Sequence, residues 1–121
     1  MQARTLVALA AALAAAVLGV SARASAPPVG PLPAGPVTSI RVEHGRLFAL
    51  VVPRPAAGLT WRGARQSDAT VARPLDEGEL NGNIVFVYRA GRPGTTTVVY
   101  ALTRGEGTKA LEARFFAVTV F

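Results

Sequence analysis

Residues 84–103, IVFVYRAGRPGTTTVVYALT, decide the fold. Two runs rich in β-branched and aromatic residues, IVFVYRA and TTTVVYALT, flank the break GRPG. Such side chains suit a pleated, half-buried surface, and a Pro/Gly break between two of them marks a β-hairpin. Working outward, the same chemistry recurs at short intervals. SIRV (39–42), RLFALVV (46–52), LTWRGA (59–64) and TVARPL (70–75) precede the hairpin, and ARFFAVTVF (113–121) follows it. EHG turns the first run into the second, and Pro74 places its run at an edge or an end. DEGELNGN (76–83) reads as a loop, with Asn81-Gly82 as its turn signal. RLFALVV is apolar at nearly every position, which predicts a strand buried on both faces.

About seven short strands and no convincing helix predict an all-β, immunoglobulin-like β-sandwich over residues 38–121. The alternative, an up-and-down barrel, generally needs more chain to hold a ligand. The expected core comprises Trp61, Phe86, Tyr88, Val98, Tyr100, Phe115 and Val118.

The first 37 residues have a different character. Arg4 is followed by TLVALAAALAAAVLGV (5–20), an unbroken apolar run, and then by SARASA. This is the pattern of a secretory signal peptide over residues 1–24, too short to span a membrane as a helix. Ala-x-Ala occurs at Ala22–Ala24 and at Ala24–Ala26; the second would put Pro27 directly after the cut, so Ser25 is the expected mature N-terminus. Residues 25–37, SAPPVGPLPAGPV, hold five prolines and are expected to form an extended, mobile linker. The expected location is therefore the periplasm or the medium, and the absence of cysteine suits a bacterial periplasm better than an animal extracellular space.

Composition narrows the function. The formal net charge is +6, but the basic residues are dispersed, with no tract or aromatic-basic motif that would read nucleic acid. His44 is the single histidine and stands in the EHG turn; a hydrolase would have to build on it with Ser39 or Ser67, and no nucleophile motif surrounds either serine. Asp76, Glu77 and Glu79 lack the spacing of a calcium loop, and one histidine does not make a zinc site. No catalytic residue, metal or cofactor is expected, and the chain reads as a monomeric binding module whose function sits in its loops.

One loop stands out because it is apolar and stiff where loops are ordinarily polar. GRLFALVVPRPAAGLTW (45–61) resembles a segment of the chagasin family, secreted inhibitors of papain-like cysteine proteases, in which a strand runs through N-P-T-T-G into an aromatic-rich strand. Arg54-Pro55-Ala56-Ala57-Gly58 falls on that motif, keeping the proline, the glycine and the aromatic residue three positions on, Trp61. The asparagine and both threonines are replaced. The family's G-x-G-G loop falls on Glu79-Leu80-Asn81-Gly82, which keeps the last glycine, and its R-P-W loop on Arg104-Gly105-Glu106, which keeps the arginine. From Gly94 to Phe115 the spacing fits without a gap. The resemblance runs in order from about Ile40 to Phe121 and implies an immunoglobulin-like sandwich. It also implies that three loops lie across a protease cleft: Arg54, Pro55, Ala56, Ala57 and Gly58 inserting, with Leu80, Asn81 and Gly82 on one side and Arg104, Gly105 and Glu106 on the other. The alternative function is an exported immunoglobulin-like envelope or adhesion module that no longer inhibits.

Overall fold

The computed structural model describes residues 27–121; the expected signal peptide and the cleavage point at Ser25 lie outside the described residues. Seven strands form two sheets: β1 (Val37–Val42), β2 (Leu47–Pro53), β3 (Leu59–Gly63), β4 (Ala72–Leu80), β5 (Asn83–Ala90), β6 (Gly94–Arg104) and β7 (Glu112–Val120). One sheet has the order β1-β7-β6-β3 and the other β2-β5-β4. The pairing of β1 with β7 is parallel and all the others are antiparallel. Two separate sheets packed face to face make a sandwich, not a barrel.

Between them lies one core. From one sheet come Leu50, Val52, Phe86 and Tyr88; from the other come Trp61, Val98, Tyr100, Leu102, Phe116 and Val118. Phe86 stacks on Tyr100 across the gap with ring centroids 3.9 Å apart. The buried Tyr88 and Tyr100 hydroxyls share a hydrogen bond of 2.6 Å, which satisfies two polar groups at once.

Five expectations are corrected. The runs on either side of GRPG do not pair as a hairpin: β5 lies between β2 and β4 in one sheet and β6 between β7 and β3 in the other, so the break at Gly91–Gly94 carries the chain across the sandwich from sheet to sheet. RLFALVV is buried on one face only: Leu50 and Val52 point into the core, whereas Leu47, Ala49 and Val51 are exposed on an edge strand. Asp76 to Leu80 is not loop but the second half of β4, paired with β5 up to the Asn81-Gly82 turn. Phe116, not Phe115, enters the core, because the inward parity of β7 is carried by Phe116, Val118 and Val120.

The fifth concerns the proline-rich segment. It is extended, as its composition requires, but it does not stand apart from the domain. Val29 is buried, Gly30 N–H donates to Thr108 O at 2.7 Å, and Phe115 N–H donates to Pro36 O at 3.0 Å. Arg65 donates to the carbonyls of Val29 and Gly30, and Arg62 to that of Pro27. Prolines leave carbonyls without partner donors of their own, and two arginines of the domain supply the N–H groups. Gly35 lies so close to β7 that a Cβ on it would sit 1.9 Å from Ala113 O.

Candidate partner-binding surface

The strand registers decide which loops meet. Pro53 and Leu80 both stand opposite Asn83, and Leu59 stands opposite Arg104. The β2–β3, β4–β5 and β6–β7 loops therefore emerge at one end of the sandwich, and all eleven residues singled out from the sequence lie there. Main-chain bonds join them in a row. Arg54 N–H donates to Gly82 O at 3.2 Å, and Gly105 N–H donates to Gly58 O at 3.1 Å, so the central loop is tied to the loop on each side.

The central loop is short and built to hold its shape. Leu59 N–H closes a turn onto Ala56 O at 3.0 Å, with Gly58 in its third position at φ 83°. That angle is one a side chain resists, and it is the type II requirement. Trp61 supports the loop from below: its Nε1–H donates to Pro53 O at 2.8 Å. The Arg114 guanidinium lies 5.4 Å from the centre of the indole ring. Arg54, Ala56, Ala57 and Gly58 are exposed, with Pro55 half-buried. The result is a slim apolar tip on a fixed base.

The flanking loops differ in kind. Asn81 and Gly82 have φ of 54° and 80°, the two positive angles of a type I′ hairpin turn. Leu80 beside them is 63% exposed, a large apolar side chain held out in solvent. On the other side, Gly107 N–H donates to Arg104 O at 2.9 Å, and Thr103 Oγ1 donates to Gly105 O at 2.7 Å. Arg104 and Glu106 are both exposed, and no ion pair joins them.

Two contacts fall outside what the loop motifs imply. Glu79 pairs with Arg54 across the first two loops. Arg62 donates to Gly107 O, and together with Gly30 it holds the third loop to the proline-rich segment. Glu79 stands at the first position of the G-x-G-G match and Arg62 in no motif, and the contact each makes depends on a position that only the strand register defines. His44 lies in the β1–β2 turn with its backbone N–H bonded to Phe121 O, and no hydrogen bond links it to Ser39 or Ser67. Among the described residues no group of three His, Asp or Glu side chains is gathered closely enough to hold a metal ion.

No family model and no curated protein matches the chain. Among solved structures it is similar to the cysteine protease inhibitor EhICP2 from Entamoeba histolytica, with a TM-score of 0.53 and 13% sequence identity over 74% of this chain and 99% of that one. At that identity the likeness establishes the fold, an immunoglobulin-like β-sandwich, which is also the fold that the resemblance to the chagasin family implies.

Proposed function

We propose that this chain is an exported, reversible inhibitor of papain-like cysteine proteases, acting by occlusion with no covalent chemistry and no cofactor. Arg54 to Gly58 inserts into the cleft, Leu80 to Gly82 flanks it on one side, and Arg104 to Glu106 on the other. The observation that carries this reading is the row of three loops joined by main-chain bonds at one end of a fold shared with a cysteine protease inhibitor. A loop that enters a narrow cleft gains from being slim and preorganised, because little conformational freedom is then lost on binding. Ala56 and Ala57 supply the slimness; the Trp61–Pro53 bond and the Gly58 turn supply the rigidity.

The departures from the family's motifs set the expected strength. Ala57 lacks a hydroxyl, worth about 0.5–1.5 kcal/mol where it forms a hydrogen bond. Glu106 replaces a tryptophan, and such anchors commonly contribute ~2 kcal/mol or more. Inhibition of papain is therefore weaker than that of a member with all three motifs intact.

Titration of residues 25–121 against papain and a cathepsin L-type protease, read with a fluorogenic peptide, tests this. Dose-dependent inhibition that Ala57→Trp abolishes without loss of folding supports insertion of the central loop. No inhibition of either enzyme at tens of micromolar (weaker than roughly −6 kcal/mol of binding) rejects it in favour of an envelope or adhesion domain.

A further inference from the structure

Away from the three loops, the two sheets fail to close along the edge where β3 faces β4. A cleft of about 560 Å³ opens there, walled by Trp61, Phe86, Tyr88 and Tyr100 and bordered by Glu77. Two features of the sequence create it. Gly63 stands opposite Tyr100 in the β3–β6 register, two residues beyond the inward-facing Trp61. It occupies an inward position without a side chain, and a Cβ placed on it would meet nothing within 4 Å.

The second feature is the bulge at Leu75. Before it, Ala72 and Pro74 stand opposite the inward-facing Ala90 and Tyr88; after it, Glu77 and Glu79 stand opposite Phe86 and Ile84. An unbroken ladder would have turned Asp76, Gly78 and Leu80 inward instead, because side chains alternate with a period of two. The extra residue thus puts Glu77 and Glu79 on the core-facing side of the edge strand, where both stay exposed, Glu77 at the rim of the cleft. Glu79 is engaged by Arg54, whereas Glu77 pairs with no cation among the described residues. Its charge is felt inside the cleft, where it adds to burial and the Tyr88 contact in keeping the Tyr100 phenol protonated.

We propose that this cleft binds an organic cation on an apolar stem, a guanidinium or alkylammonium group, with the stem against the aromatic walls and the charge at Glu77. Aromatic walls alone would accept any apolar group; a carboxylate at the rim without a partner selects a cation. Bulges and inward charges also guard edge strands against pairing with other chains. That role accounts for Leu75 and Glu77, but not for the missing side chain at Gly63. The proposal is independent of the protease-facing loops.

Trp61, the chain's single tryptophan, reports on the site. The purified protein is titrated with benzylammonium, with the neutral benzyl alcohol, and with a capped leucyl-arginine dipeptide, following Trp61 emission. Saturable binding of benzylammonium is expected. Glu77→Gln should weaken it roughly three- to fivefold while leaving benzyl alcohol unchanged, and Gly63→Val should abolish it by filling the open space. Tighter binding of the dipeptide identifies the ligand as a basic side chain of a polypeptide; tighter binding of benzylammonium identifies a free amine. The proposal is overturned if neither cation saturates by about 10 mM, if Glu77→Gln weakens benzylammonium and benzyl alcohol alike, or if Gly63→Val binds as the parent does.

Discussion

The indole N–H of Trp61 donates to the carbonyl oxygen of Pro53 at 2.8 Å, so the strand that leaves the central loop holds the strand that enters it. Trp61→Phe keeps an aromatic ring in the core but leaves that partly buried carbonyl without its donor. A loss of about 1–3 kcal/mol in denaturant unfolding is expected, together with a fall in protease inhibition larger than the stability change alone explains. Equal stability of the variant and the parent would show that the loop holds its shape without this bond.

The Tyr88–Tyr100 pair predicts both a mutational and an alkaline effect. Tyr88→Phe leaves the Tyr100 hydroxyl buried without its partner and should cost about 1–3 kcal/mol, with the double Phe variant costing less than the sum of the two singles. Burial raises the pKa of both phenols, and the hydrogen bond they share raises that of Tyr100 further. The unfolded chain therefore releases these protons first, so stability falls as pH rises above about 10. Unfolding measured across that range should show the decline in the parent and a flatter profile in the double variant.

Asp68 makes the opposite prediction at acid pH. Its carboxylate accepts from the Thr70 hydroxyl at 2.5 Å and from the Thr70 N–H at 2.9 Å, and Arg92 lies 3.3 Å from the other oxygen. The Thr70 hydroxyl bond is the chief reason its pKa is lowered. A lowered carboxylate favours the folded state above its unfolded value of about 4, and that contribution disappears as pH falls through the folded value. The stability advantage of the parent over Asp68→Asn should be constant near neutrality and shrink below about pH 4. An advantage that persists undiminished at low pH would mean that the charge is not its source.

Gly35 tests whether the proline-rich segment belongs to the domain. Gly35→Ala puts a methyl group against the Ala113 carbonyl, at a distance where backbone must move. The expected cost is about 1–3 kcal/mol, with faster amide exchange at Gly30 and Phe115, whose N–H groups bond to or from this segment. Unchanged exchange at both sites would show that the contact is dispensable.

Local signals were the legible part of this fold. The Asn81-Gly82 turn follows from residues whose backbone preferences leave few choices. The Pro/Gly break at Gly91–Gly94 signals only that the chain changes direction and not whether the strands beside it pair, and here they lie in different sheets. The second half of β4 was not legible, because Pro74, Gly78 and three acidic residues are all disfavoured in strands. As an edge strand it bonds to β5 on one side only and tolerates them. Adjacent Phe115 and Phe116 cannot be sorted by composition; the ladder with β6 assigns them to opposite faces. The three loops were matched to their motifs one at a time, but their meeting depends on sheet order, which no local stretch encodes. The docking of Val29 was hidden for a similar reason, since proline content sets how stiff a segment is and says nothing about what it lies against.

The parallel partnership of β1 with β7 has a consequence for assembly. Val37 to Val42 forms its ladder only with Phe115 to Val120, at the far end of the chain. The β4–β5 hairpin can form while the chain is still incomplete. The first strand, and the proline-rich segment that bonds to Phe115, must wait for the last nine-residue strand to arrive. Loop closure of that span is the slowest kind of contact to make. The sandwich therefore locks last along the seam where its beginning meets its end, and a chain stopped short of β7 would present an unpaired apolar β6 edge to its surroundings.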